Sequence, residues 1–108
     1  MAGNRQSIHA GSGSSLAIDT PDGHYILSRE ECRHLLSSSR RMVLQHADGT
    51  VPGDAVAYLA PGTVGSNKPR VIIETARCAF SVPDRAFVTV SEGKPAAPVV
   101  LHSRKVKA

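Results

Sequence analysis

Residues 27–38, LSREECRHLLSS, decide the fold, because this is the one stretch with a complete set of helix signals. Ser28 and Glu31 have the spacing of a capping box, in which each side chain bonds the backbone N–H of the other residue. Leu27 and Cys32 stand at the two positions of a hydrophobic staple around this box. The pattern predicts a helix from about residue 29 to about residue 38.

The remaining segments carry strand and turn signals. Residues 15–19 alternate in hydrophobicity, and Thr20-Pro-Asp-Gly23 is typical of a type I turn, so residues 15–27 are predicted to form a hairpin. Further strands are predicted at residues 40–46, 55–60, 70–82, 86–91 and 99–102.

Residues 70–82 fit two patterns. Val71, Ile72 and Ile73 favour a strand, whereas Ile72, Ala76 and Phe80 would share one face of a helix. We predict a strand that bends near residues 74–76, with a helix as the alternative.

The predicted fold class is α+β and mostly β. A small antiparallel sheet of about 6–7 strands would curl into a barrel or a sandwich, covered by the one helix at about residues 29–38. The predicted organisation is a flexible N-terminal arm at residues 1–14, a single α+β domain at residues 15–103 and a basic C-terminal tail at residues 104–108.

The composition supports a packed core that is poor in aromatic side chains. Hydrophobic residues make up 41% of the 108 residues, but aromatic ones only 4%, so Val, Ile, Leu and Ala must fill the core. The chain carries a net charge of +4. Arg5, Arg104, Lys105 and Lys107 lie near its ends, and without them the basic residues only balance the nine acidic ones.

This charge distribution leaves two basic clusters as candidates for contacts with nucleic acid. One lies along the helix and just after it, and the other is the C-terminal tail. The candidate nucleic-acid contacts are Arg29, Arg33, Arg40, Arg41, Arg104, Lys105 and Lys107.

No catalytic, cofactor or metal motif is found in the sequence. Cys32 and His34 are two positions apart on a helix and therefore point in different directions, so they are not expected to form a reactive pair. The five histidines lack metal-ligand spacing, and Asp19 and Asp22 are attributed to a turn. The Gly-containing stretch at residues 61–70 fits a hairpin loop better than a phosphate-binding loop.

Cysteine usage and hydropathy predict a cytoplasmic protein without a membrane span. Cys32 and Cys78 are expected to be free thiols in a reducing compartment. No apolar run reaches the length of a membrane-spanning helix, and the first residues lack the apolar region of a secretory signal.

Residues 55–60, AVAYLA, are apolar on both faces of the predicted strand, which is typical of a central strand or of a subunit contact. We therefore predict a non-catalytic interaction or assembly module that acts through a sheet face or edge, with itself as a homo-oligomer or with another protein. The candidate contact residues are Val56, Tyr58 and Leu59. The alternatives are a nucleic-acid-binding accessory protein and an enzyme whose site is formed by dispersed residues; no cofactor or small molecule is predicted.

Overall fold

Strands make up most of the regular structure in the computed structural model, which describes residues 7–38, 40–47, 55–60 and 69–101. The strands are β1 (Ser7–Ala10), β2 (Ser15–Thr20), β3 (Gly23–Ser28), β4 (Met42–Val43), β5 (Gln45–His46), β6 (Val56–Ala60), β7 (Arg70–Glu74), β8 (Ala79–Pro83) and β9 (Val99–Val100). The helices are α1 (Arg29–Ser37) and α2 (Arg85–Ser91). This confirms the α+β, mostly β class. Within the described residues the strands form two sheets, and neither is closed into a barrel.

The five-stranded sheet has the order β5-β3-β2-β1-β9, and every neighbouring pair is antiparallel. Its centre is the predicted hairpin of β2 and β3, which pairs Leu16 with Leu27 and Ile18 with Tyr25. The turn is closed by Thr20, whose hydroxyl accepts from the Asp22 and Gly23 N–H groups.

The flexible N-terminal arm predicted at residues 1–14 includes residues that form a strand. Residues 7–10 form β1, because Ile8 is fully buried opposite Ile18 and gives this segment an apolar anchor. The loop back to β2 contains Gly13, whose φ of 62° is a left-handed conformation that favours glycine. Residues 1–6 lie outside the described residues.

The four-stranded sheet has the order β4-β6-β7-β8 and is also antiparallel. Residues 70–82 do not form a helix. They form two strands, β7 and the start of β8, and the bend predicted near residues 74–76 is a full hairpin turn at residues 75–78. The Thr75 N–H donates to the Cys78 carbonyl at 2.9 Å, and the Thr75 hydroxyl also accepts from the Cys78 N–H. These bonds close the turn between β7 and β8.

The predicted strand at residues 40–46 is divided between the two sheets. β4 pairs with β6, whereas β5 pairs with β3. Leu44, between them, is buried, and its N–H donates to Ala55 on the β6 side. Three residues later, the Ala47 N–H donates to the carbonyl of His24 in β3. One short segment therefore joins the two sheets at a corner.

Helix α1 confirms the predicted capping box. Ser28 Oγ accepts from the Glu31 N–H at 3.1 Å, and Glu31 Oε1 accepts from the Ser28 N–H at 2.8 Å. Cys32 and Leu35 are buried, and Leu36 packs against the same core. The helix ends at Ser37, one residue before the predicted end.

Residues 85–91 form α2, so the predicted strand at 86–91 is wrong. The β-branched residues Val88, Thr89 and Val90 favoured a strand, but tertiary packing overrides this weak preference. The buried side chains are Ala86, Phe87 and Val90, which share one helix face. A helix of seven residues is marginal alone, and α2 is stabilised by packing on α1, β1 and β2.

A side-chain link ties the two hairpins to each other. Asp22 lies in the β2–β3 turn, and its carboxylate accepts from the Thr75 hydroxyl at 2.6 Å and from the Arg77 N–H at 3.1 Å. Arg77 Nε adds an ion pair at 2.7 Å. The hydrogen bond from Thr75 and the contacts with Arg77 lower the pKa of Asp22 and outweigh the opposing effect of burial.

We expect Asp22→Asn to reduce the free energy of unfolding by about 1–3 kcal/mol, because the Asp22 side chain is only 8% exposed and bonds donors from the other hairpin. Urea denaturation would measure this loss as a lower midpoint. Because the folded pKa is lowered, the contribution is present above about pH 4 and is lost as the pH falls through the folded pKa. The exposed Glu92→Gln serves as the control. Equal midpoints for the two variants would contradict the role given to Asp22.

Candidate interaction face

The register of the four-stranded sheet separates its side chains into two faces. Ala57, Ile73 and Phe80 pair across three strands and are buried, so their row faces the core. The alternate rows point away from the core. We call these side chains the outer face, and none of them is fully buried: Val43, Val56, Glu74, Ala79, Tyr58, Ile72, Ser81, Ala60, Arg70 and Pro83.

The middle of the outer face is apolar. Val43 is 46% exposed and is one of two exposed large hydrophobic side chains in the described part of the chain. Val56 pairs directly with it, and Tyr58 pairs with Ile72 in the next outward row; these three side chains are half-buried. Contiguous exposed apolar surface of this kind is typical of interaction sites.

A charged group flanks this apolar area. The Arg41 guanidinium stacks 4.9 Å from the centroid of the Tyr58 ring and lies 3.5 Å from Glu74 Oε1. The Tyr58 hydroxyl donates to Glu74 Oε2 at 3.1 Å. Burial and the bonded Glu74 carboxylate raise the pKa of Tyr58, so its hydroxyl remains a donor. The positive charge of Arg41 and the negative charge of Glu74 thus lie together, beside Val43 and Val56.

The edge of this sheet formed by β8 is protected against pairing with a further strand. Because Thr75 and Cys78 form a hydrogen-bonded pair, the alternation of the ladder points the backbone groups of Ser81 away from β7. Arg70 donates to the Ser81 carbonyl at 2.9 Å and to the Ser81 hydroxyl at 2.7 Å. Pro83 has no N–H to offer. The face is therefore more available than the edge.

Two of the three predicted contact residues lie on the outer face. Val56 and Tyr58 are part of it, but Leu59 belongs to the inward row with Val71 and Val82 and packs against the core. Leu59 is therefore a core residue. All three were candidates because the strand is apolar on both faces, and the sequence alone does not show which face is covered.

Arg29 and Arg33 have a structural role in the described part of the chain. Both donate to the Ser91 carbonyl at 3.2 Å, at the C-terminal end of α2. Cations at this position stabilise a helix, because its last carbonyls are unpaired and partly negative. These two side chains connect α1 with α2, and this contact is a reason for their presence that does not involve nucleic acid.

The other candidate nucleic-acid contacts do not continue this pair. Helix α1 ends before Arg40, so Arg40 does not extend a helical stripe of arginines. Arg41 belongs to the outer face through Tyr58 and Glu74. Arg104, Lys105 and Lys107 lie outside the described residues.

The outward side of the five-stranded sheet holds a cluster that sequence spacing did not reveal. Asp19 accepts from His9 Nε2 at 2.9 Å and from His24 Nδ1 at 2.7 Å, with the ring tautomers set by these bonds. The three residues lie on β1, β2 and β3, and antiparallel pairing brings them together. Asp19 is therefore a strand residue with two side-chain partners, not a turn residue as the sequence suggested.

Charge coupling holds this cluster together. The hydrogen bond to Asp19 raises the pKa of His9 and outweighs burial, which acts in the opposite direction. Burial alone would raise the pKa of Asp19, but the hydrogen bonds from His24 and His9 lower it. The result is a carboxylate held between two imidazoles on the sheet surface.

These groups do not make a recognisable reactive centre. Among the residues described, no three His, Cys, Asp or Glu side chains are placed to hold one metal ion. Cys32 is fully buried, and burial raises the pKa of its thiol to about 12, so it stays protonated, while His34 on the same helix is exposed. Arg70 begins a strand, so the loop before it does not lead into a helix as phosphate loops do.

Comparison with protein-family profiles, with curated proteins and with solved structures finds no match for this chain. In the part of the chain that the structure describes, neither helix has the length and apolar character needed to cross a membrane.

We expect Asp19→Asn to shift the titration of His9 to lower pH, because the raised pKa of His9 depends on the Asp19 carboxylate. NMR titration of the His9 ring protons measures this, and Asp84→Asn, on another element, is the control. The raised pKa means that His9 stabilises the fold fully below about pH 6.5, and that this contribution is lost as the pH rises through the folded pKa. An unchanged His9 titration in Asp19→Asn would contradict the coupling.

Proposed function

We propose that the protein is a non-catalytic assembly module that pairs with a second copy of itself through the outer face. The observation that carries the proposal is the exposed Val43, at the edge of a half-exposed apolar area formed with Val56, Tyr58 and Ile72. Burying this area against an equivalent one removes apolar surface from water on both copies. It also compensates for a core with few aromatic side chains.

The charges on this face favour a second copy over an unrelated partner. A two-fold contact brings the same patch of each copy together, so the patch must be complementary to itself. Arg41 and Glu74 supply both signs side by side. In a two-fold pair, the cation of one copy can lie near the anion of the other.

The size of the face limits the strength of this pairing. Three strands of five residues and β4, which has two, cover at most about 15 by 16 Å in projection, which is small compared with the roughly 800 Å² per partner of stable interfaces. We therefore expect a weak dimer that dissociates on dilution in the micromolar range.

The proposed contact can be tested with variants of two exposed valines, each of which lies on a strand of two residues. Val43, on β4 of the four-stranded sheet, is 46% exposed, and Val100, on β9 of the other sheet, is 52% exposed. Val43→Lys places an uncompensated charge in the proposed contact, and Val100→Lys adds the same charge elsewhere. The two changes have similar folding costs, which circular dichroism and thermal melts will compare.

We expect sedimentation equilibrium from about 10 to 200 µM to show a rising mass for the unmodified protein and for Val100→Lys, but a constant monomer mass for Val43→Lys. A strict monomer at every concentration would contradict self-assembly. Dissociation by Val100→Lys alone would contradict the assignment to the outer face and place the contact on the five-stranded sheet.

Nucleic-acid binding is the alternative function, supported by the net charge of +4 and by the basic residues near the C-terminus. Repeating the sedimentation with a duplex DNA at low salt tests it in the same experiment. Binding through the tail would weaken when Arg104, Lys105 and Lys107 become Gln and would fall steeply with salt. Absence of any DNA complex at low salt would contradict this alternative.

We also propose that the module works in the cytoplasm. This is supported by Cys32 and Cys78, which are both free thiols. Extracellular proteins of this size more often join their cysteines in disulfides.

A further inference from the structure

A groove lies where the ends of β7 and β8 meet α2. It encloses about 550 Å³ and is lined by Pro69, Arg70, Pro83, Asp84, Arg85, Val88 and Thr89. This volume falls within the range of sites for small molecules. The groove adjoins the outer face at Arg70 and Pro83, but most of its lining belongs to the turn into α2 and to the helix itself.

Arg70 is held in place inside this groove. Its Nε donates to Ser81 Oγ at 2.7 Å, and one Nη2 hydrogen goes to the Ser81 carbonyl. A guanidinium has more N–H donors than these two contacts use, so Arg70 keeps donors for a ligand. A cation fixed before binding loses less conformational entropy when the ligand arrives.

Arg85 supplies the second cation. Its guanidinium makes no hydrogen bond or ion pair with any described residue, although its backbone carbonyl accepts from the Thr89 hydroxyl at 2.9 Å. Among the described residues of the lining, two arginines face the single carboxylate of Asp84, so this part of the lining has a net positive charge. Guanidinium groups are well suited to carboxylate and phosphate oxygens, because they can offer two parallel N–H donors.

The rest of the lining is partly apolar. Pro69, Pro83 and Val88 provide rigid or branched hydrocarbon surface in the same groove. A ligand that uses only charge would leave this surface in contact with water, whereas an apolar body attached to the charged group would cover it.

We propose that this groove binds a small molecule with an anionic head group, carboxylate or phosphate, and an apolar body. Arg70 and Arg85 hold the head group, and Pro69, Pro83 and Val88 contact the body. Asp84 can accept from a hydroxyl or amide of the same ligand. The groove shares Arg70 and Pro83 with the outer face, but the proposal does not rest on assembly.

The experiment uses the full chain and simple probes. Benzoate and phenyl phosphate carry the head group and an apolar ring, benzamide is the neutral counterpart of benzoate, and acetate and inorganic phosphate are head groups alone. Amide NMR spectra follow each titration, with the signals of Arg70, Arg85, Val88 and Thr89 reporting on the groove.

We expect saturable shifts at these amides with benzoate or phenyl phosphate, with dissociation constants on the order of 1 mM. Preference for one of the two probes identifies carboxylate or phosphate as the head group. Arg85→Gln should weaken the binding about tenfold, because it removes the cation without an intramolecular partner. Arg40→Gln, an exposed arginine outside the groove, is the matched control and should bind as the unmodified protein does.

Three results would overturn the proposal. The first is the absence of saturable shifts at these amides with either aromatic anion. The second is equally strong binding of benzamide or of the head groups alone. The third is equal weakening by Arg85→Gln and Arg40→Gln, which would indicate only a general effect of charge. Sedimentation of the same samples shows separately whether assembly occurs, so the two proposals fail independently.

Discussion

The arrangement of the two sheets depends on one point, Leu44, where the chain stops pairing with one sheet and begins to pair with the other. β4 pairs with the four-stranded sheet and β5 with the five-stranded one, so residues 42–47 complete the ladders of both. Leu44 is buried at the point of change and anchors the corner. Both sheets then contribute to a single core together with α1 and α2. Asp22, in the β2–β3 turn, bonds Thr75 and Arg77 in the β7–β8 turn. The two sheets are therefore connected at a second place.

Local features of the sequence predicted local structure well. The capping box of Ser28 and Glu31 located the start of α1, and the turn at residues 20–23 located the β2–β3 hairpin, because these signals act between residues that are close in sequence. The boundary of α1 was correct to one residue. The same reasoning found strands in residues 70–82, although it did not recognise the two-residue turn that divides them.

Structure that depends on distant partners was missed. Residues 86–91 have strand propensity, and packing against α1, β1 and β2 stabilises them as a helix; the spacing of Ala86, Phe87 and Val90 was the one available signal. β1 contains the single apolar anchor Ile8 in a polar stretch, so its pairing is visible only when Ile18 is opposite. His9, Asp19 and His24 likewise have no characteristic spacing, because strand register alone brings them together.

The candidate surfaces show why charge read from sequence is a weak guide to function. Arg29 and Arg33 appeared to be a basic flank for nucleic acid, yet both bond the carbonyl that ends α2. Arg41 is bound to Glu74 and stacks on Tyr58. These arginines look like one positively charged cluster in the sequence, but in the fold they make separate structural contacts. Arg85, which no pattern selected, makes no side-chain hydrogen bond or ion pair with any described residue and lines the groove.

Arg70 connects the edge, the face and the groove of the four-stranded sheet. By bonding the outward carbonyl of Ser81 it blocks addition of a further strand, and the same two bonds position its guanidinium in the groove. Removing Arg70 would expose the edge of β8 as well as weaken the proposed anion site, and its effects on association and on binding would be mixed. Arg85 has no such second role among the described contacts. The protected edge also leaves the outer face as the part of this sheet most suited to self-association, because a face pairs through side chains and needs no free backbone groups.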